Sequence, residues 1–201
     1  MGLTGKNNEE KAWNFLKGKI PNDFGVAGLM GELFAESGLN PQNLQNSYEK
    51  KLGFTDATYT AAVDSGSYAN FVHDSAGYGV AQWTFWSRKE ALLNYVRALG
   101  VSIGDLEAQL GFLYKELSES YPSVLATLKT ATSVRDASDK VLTDFERPAD
   151  QSEAVKIKRA GYGQTYYDKY AKAVASTPSE GGNNMSCLLY TSDAADDMQC
   201  V

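Results

Sequence analysis

Apolar residues recur at helical spacing along most of the chain. Ala12, Trp13, Phe15, Leu16 and Ile20 predict a first helix over residues 8–19, and Pro21 ends it, because proline disfavours helical geometry at the residue before it. Val26, Ala27, Leu29, Met30, Leu33 and Phe34 give a broad apolar face to a second helix over residues 24–37, with Asp23 as its N-cap and Gly38 closing its last turn. Short helices or turns are expected over 41–52, 56–64 behind a Thr55 cap, and 68–73. Between Ser75 and Thr84 the pattern changes: Gly77 and Gly79 among aromatics suit a tight turn or a small hairpin. Helices resume over 87–99, 103–118, 121–130 and 134–145. Pro148 then breaks the pattern, and a last long helix is expected over 152–175. There is no internal repeat and no heptad array, so solenoid and coiled-coil architectures have no support.

With 201 residues, 43% of them apolar, the chain can bury a core without disulfides or metals. Residues 1–7 form a polar N-terminal extension without the apolar stretch of a signal peptide, so export by its own signal is not expected. The folded domain spans 8–175. Residues 176–185, STPSEGGNNM, read as a linker to a further C-terminal domain in the parent protein. The segment from Cys187 to Asp197 can be encoded by a common sequencing-library adapter, so residues 186–201 read as a translated adapter or a disordered tail. Both cysteines, Cys187 and Cys200, lie in that tail, and its three Asp account for part of the formal charge of −6. An acidic balance of 19 basic against 25 acidic residues argues against nucleic-acid binding, which needs a basic face. No apolar run is long enough for membrane insertion, and a monomer is expected.

The residue inventory removes several chemistries. The domain has no cysteine for thiolate catalysis, and His73 is the chain's single histidine, too few for a zinc hydrolase. No G-x-S-x-G elbow presents a serine, and neither phosphate-binding glycine motif is present. Carboxylate chemistry remains. Glu32 and Glu36 share a helix face, but Glu36 stands in the last turn, where the helix's partial negative charge opposes an ionised carboxylate. A carboxyl that keeps its proton is what general-acid catalysis requires.

Gly31-Glu32-Leu33-Phe34-Ala35-Glu36-Ser37-Gly38-Leu39-Asn40-Pro41, followed by Gly77-Tyr78-Gly79-Val80-Ala81-Gln82-Trp83, resembles the lysozyme-like superfamily, and most closely the phage tail-type lysozymes of Firmicutes phages and prophages. The similarity runs from about Asn8 to Ala175 and includes Phe145-Glu146-Arg147-Pro148 and the Tyr-rich stretch from Gly161 to Tyr170. The resemblance implies an α+β, predominantly α-helical, lysozyme-like fold with a small irregular or β-hairpin lobe beside the catalytic helix. It assigns Glu36 as the catalytic acid. Hen-type lysozymes carry an aspartate where this chain has Gly77, so Asp74, three residues earlier, is the candidate for a second, water-positioning carboxylate. Tyr78, Gln82 and Trp83 are candidate substrate contacts: an amide can bond an acetamido group, and aromatic faces stack on sugars. Of Trp83 and Trp86, three apart, one is expected in the core and the other at the groove. Arg88 and Lys89 could attract an anionic wall or simply start a solvated helix.

The implied activity is a peptidoglycan muramidase cutting the β-1,4 bond between N-acetylmuramic acid and N-acetylglucosamine, with no metal or organic cofactor. A lytic transglycosylase and a non-catalytic glycan-binding tail-tip domain are the alternatives. The expected setting is a phage virion tail, or the host cytoplasm before holin-mediated release, with the bacterial cell wall as target.

Overall fold

The computed structural model describes residues 2–172, so the expected linker and tail lie outside the described residues. Nine α-helices are described: α1 Asn8–Lys17, α2 Asp23–Ser37, α3 Asn46–Leu52, α4 Asp56–Asp64, α5 Trp86–Leu99, α6 Leu106–Glu119, α7 Pro122–Thr130, α8 Val134–Val141 and α9 Glu153–Tyr166. π-helical turns extend α8 over Leu142–Glu146 and α9 over Tyr167–Ala171. None of these helices is long and apolar enough to cross a membrane.

The fold is organised around α2, which packs against α1, α7, α8 and α9. Every residue from Gly25 to Leu33 is buried, as expected of a helix that is apolar nearly all round. Glycines at every third position make this possible. A Cβ on Gly25 would lie 1.8 Å from the Leu128 carbonyl oxygen, one on Gly28 2.5 Å from the Ala137 Cβ, and one on Gly31 2.5 Å from the Gly163 nitrogen. Three partner helices therefore approach one backbone closely, and the α2–α9 crossing is glycine on glycine.

The expected caps are partly relocated. Asn22, not Asp23, caps α2: its side chain accepts from the Phe24 and Gly25 amides, while Asp23 becomes the first helical residue, where a negative charge suits the helix N-terminus. Gly38 closes α2 in the left-handed region at φ 62°, as expected. Thr55 caps α4 through a capping box with Thr58. Pro41 starts no helix, since α3 begins only at Asn46, and Asp105 delays the start of α6 to Leu106 by bonding the Ala108 amide. Residues 69–73 form turns.

Of the irregular or β-hairpin lobe expected, the hairpin is not seen. Among the described residues no strand forms. Tyr78 and Trp83 exchange two backbone hydrogen bonds of 3.2 and 3.0 Å, and Leu44 makes one further isolated bridge to Tyr78. The lobe between α2 and α5 is otherwise short helices and turns, and the domain is predominantly helical, as expected.

Candidate active site

Glu36 reaches a cleft because α2 ends beside the irregular lobe. The left-handed Gly38 turns the chain away at once, and Ser37 bonds back to the Leu33 carbonyl and across to that of Val80 at 2.9 Å. The cleft has a volume of about 640 Å³ and is lined by Glu36, Gln45, Tyr48, Ser75, Gln82, Thr84, Phe85, Arg88, Glu146, Pro148 and Ala149. A larger cavity of about 730 Å³ opens beside Phe15, Tyr95 and Tyr114. Its lining carboxyls are Glu107, Glu119, which is exposed and paired with Lys115, and Asp105, which is engaged as a helix cap.

The charges around Glu36 are arranged by α9. Arg159 Nη1 donates to Glu36 Oε1 at 2.6 Å and to Glu32 Oε2 at 2.9 Å. Glu32 is wholly buried and also accepts from the Ser138 hydroxyl at 2.6 Å. Burial raises its carboxyl above the usual range against the lowering effect of those two bonds. Glu32 is thus an anchor for Arg159 and not a group open to substrate, whereas the Glu36 side chain retains 19% exposure.

Glu146 ends the π-helical turn after α8, and Arg147 follows with φ 50°. The residue is half-buried, but its Oε1 is sealed and has no hydrogen-bond partner among the described residues. Burial, then the charge of Glu36, push its carboxyl well above the usual carboxylate range, against the pull of Arg88. Arg88 is itself committed elsewhere: it forms a two-pronged pair with Glu116 at 2.8 and 2.9 Å and stacks 4.6 Å from the Phe145 ring centre. Arg88 is therefore neither a free cation nor a solvated helix start.

Gln82 lines the cleft. Its Nε2 donates to the Asn43 side chain at 2.8 Å and to the Asn43 and Gly79 carbonyls at 3.1 Å, at a strained φ of 45°. A Cβ on Gly77 would lie 2.7 Å from the Gln82 Oε1. The fixed amide of Gln82 thus occupies the space that an aspartate at position 77 would need. Ser75, another cleft residue, also has positive φ, at 61°. Non-glycine strain gathered at Ser75, Gln82 and Arg147 marks this wall as a place the rest of the fold over-determines.

The structure corrects the other three expected site residues. Asp74 does not face the cleft: its side chain is fully shielded and pairs with Lys89 at 2.5 Å. Both its oxygens are occupied, one by Lys89 and the Ala76 amide, the other by the Tyr59 and Tyr68 hydroxyls. It cannot orient a water on substrate without breaking that cluster. Tyr78 and Trp83 have no exposed surface. Tyr78 bonds the Thr60 hydroxyl, and the Trp83 indole donates to Glu116 at 2.7 Å, so both support the wall from behind. The aromatic surface lies one turn on: Phe85 is 62% and Trp86 49% exposed, with His73 beside Trp86. The division between a core Trp83 and an outer Trp86 matches the three-residue spacing.

Sequence reasoning assigned no role to Arg159 or Glu146. Arg159 lies 123 positions from Glu36, and only the glycine stripe of α2 hinted at so close a helix crossing. Glu146 carried a weak signal, a glutamate between a core aromatic and a helix-breaking proline.

A helical domain whose buried central helix delivers a glutamate to an open polar cleft, walled by a Gly-Tyr-Gly turn, defines the lysozyme-like class. A family model for phage tail lysozyme matches residues 7–170, and the chain belongs to that family. No curated protein matches it. Membership makes it a phage-associated protein with peptidoglycan-lytic function, acting on the cell wall.

Proposed function

We propose that the chain is an N-acetylmuramidase in which Glu36 protonates the oxygen leaving the β-1,4 bond between N-acetylmuramic acid and N-acetylglucosamine. The observation that carries this reading is Glu36 itself, a partly exposed carboxyl at the end of an otherwise buried helix, in a polar cleft of about 640 Å³. Gln82, whose Nε2 is held by Asn43 and Gly79, would offer its Oε1 to an acetamido N–H. Phe85 offers a face for sugar stacking. The chemistry needs no cofactor. The setting is a virion tail or a lysin released from the host, acting as a monomer on glycan strands.

One observation favours a second reading. With Asp74 sealed against Lys89, the lobe presents no aspartate to activate water, which leaves room for a transglycosylase in which the muramic 6-hydroxyl attacks instead. Glu36→Gln should lower wall lysis at least about 10²-fold without changing the melting temperature. Near-normal lysis by that variant would overturn the assignment. Mass spectrometry of wild-type products separates the two reactions, since an anhydro end weighs one water less than a hydrolysed one.

A further inference from the structure

Gly77 leaves a notch in the cleft wall. A Cβ there would lie 2.7 Å from Gln82 Oε1, 3.2 Å from Thr84 Oγ1 and 3.4 Å from Gln45 Oε1, so three side-chain oxygens surround the position. Gln45, Gln82 and Thr84 line the same cleft as Glu36. The two amides are pinned at opposite ends. Gln45 is bridged to Gly77 twice: its backbone N–H donates to the Gly77 carbonyl at 2.8 Å, and its Oε1 accepts from the Gly77 N–H at 3.0 Å. Gln82 is held through Nε2, which donates to the Asn43 side chain and to the Asn43 and Gly79 carbonyls. Those bonds fix which way each amide points. Reversing Gln45 would set its NH2 group against the Gly77 N–H, and reversing Gln82 would set its oxygen against three other oxygens. The Thr84 hydroxyl spends its proton on the Gln82 carbonyl at 2.8 Å. What is left over is complementary: the donors of Gln45 Nε2 and the acceptor Oε1 of Gln82. Neither atom has a hydrogen-bond partner among the described residues, and neither is sealed from solvent as Glu146 Oε1 is.

We propose that Gln45 is a specificity-determining residue that works with Gln82 across the Gly77 notch to read one acetamido group of the glycan. Gln82 Oε1 accepts from the acetamido N–H, and Gln45 Nε2 donates to its carbonyl oxygen. This inference rests on the reading of the cleft as the glycan site. It holds for a hydrolase and a transglycosylase alike, because it concerns which sugar is accepted and not how the bond breaks. An acetamido group carries one donor and one acceptor on separate atoms, which is what two oppositely pinned amides demand. An unacetylated amine, ionised to ammonium, offers Gln45 no acceptor, and a carboxylate offers Gln82 no donor. In either case a polar group of the wall loses its water without gaining a partner, and that loss is what makes a hydrogen-bonding site selective. Both amides are already held in place by the backbone around them, so binding orders little that was free. A side chain at position 77 would fill the notch between them, which gives the glycine a role in recognition.

The test uses the full chain and two preparations of one purified peptidoglycan, fully N-acetylated and chemically de-N-acetylated, with bond cleavage counted by mass spectrometry. The wild type should prefer the acetylated glycan in kcat/KM by at least about 10²-fold. Gln45→Glu keeps an oxygen for the Gly77 N–H but exchanges the free donor for an acceptor, so the preference should fall at least about 10-fold. Taking the ratio of the two substrates cancels any effect of the new charge on Glu36. A wild type without preference, or a Gln45→Glu variant that slows both substrates equally, would overturn the proposal. If Gln45→Glu fails to fold, ¹⁵N NMR of the wild type decides: the Gln45 side-chain amide signals should shift with an N-acetylglucosamine oligomer and not with a glucosamine oligomer. Signals that move with neither or equally with both would overturn the proposal. Persistence of lysis in Glu36→Gln would instead sink the muramidase reading, while the acetyl-dependent shift of Gln45 would stand or fall by itself.

Discussion

At the scale of single residues, the most informative pair is Asp74 and Lys89. Both side chains are fully shielded, and Lys89 also reaches the Ala76 carbonyl at 2.8 Å and sits 4.4 Å from the Phe71 ring centre. Burial holds the Lys89 ammonium below its usual range, with Asp74 opposing that effect. Breaking a buried pair strands the remaining charge, which typically costs about 3–5 kcal/mol. Lys89→Met should therefore destabilise the domain by about that amount in denaturant melts, and adding Asp74→Asn should recover part of the loss. If the double variant is no more stable than the single one, the pair is not the source of the effect. Phe85 belongs to the same scale. Truncating an exposed aromatic at the rim removes about 0.5–1.5 kcal/mol of stacking, so Phe85→Ala should weaken chitooligosaccharide binding several-fold in calorimetry and leave the melting temperature unchanged.

At the scale of elements, the α2–α9 crossing ties stability to the site. A Cβ on Gly31 would meet only backbone: the Gly163 nitrogen at 2.5 Å, the Arg159 carbonyl at 2.7 Å and the Gly163 Cα at 2.8 Å. Gly31→Ala must push α9 outward, at a cost of about 1–3 kcal/mol or more, and Arg159 moves with it away from Glu36. Loss of stability and loss of lysis should appear together. Gly161, on the same helix, has open space where its Cβ would go, so Gly161→Ala should be neutral or stabilising by up to about 1 kcal/mol. Equal effects of the two substitutions on thermal melting would show that the crossing is looser than the distances imply.

At the scale of the whole molecule, two buried carboxyl groups set a pH dependence of stability. Glu32 and Glu146 are both raised above their ordinary value of 4.5, chiefly by burial, so above that pH the folded state holds protons that the unfolded chain has released. Their contribution is therefore fully present below about pH 4.5 and is lost as pH rises through the folded values. Asp144, lowered by its hydrogen bond with Lys140, works in the opposite direction on the acid side, weakly because it is exposed to solvent. The melting temperature should therefore fall as pH rises above about 4.5, and Glu146→Gln should flatten that fall. A melting temperature that rises across this interval would contradict the burial of those two protons.

Helix existence and the position of Glu36 were legible in the sequence because both depend on local rules: apolar periodicity, a cap at each end, and a glycine whose left-handed turn stops α2 where the carboxyl is needed. The same rules placed Gln82 on a tight turn and separated Trp83 from Trp86. They could not say that Asp74 would find Lys89, that Tyr78 and Trp83 would face inward, or that Arg159 would cross more than a hundred positions to reach Glu36. A lone carboxylate is a candidate base or a buried ion pair according to which cation the fold brings to it. Glu146 likewise looked like a helix-end residue until its packing left one oxygen sealed and unpartnered. The chain's local pattern determined the elements and the place of Glu36 at the end of α2; only the packing of distant helices determined which of its other carboxyl groups are paired and which are shielded.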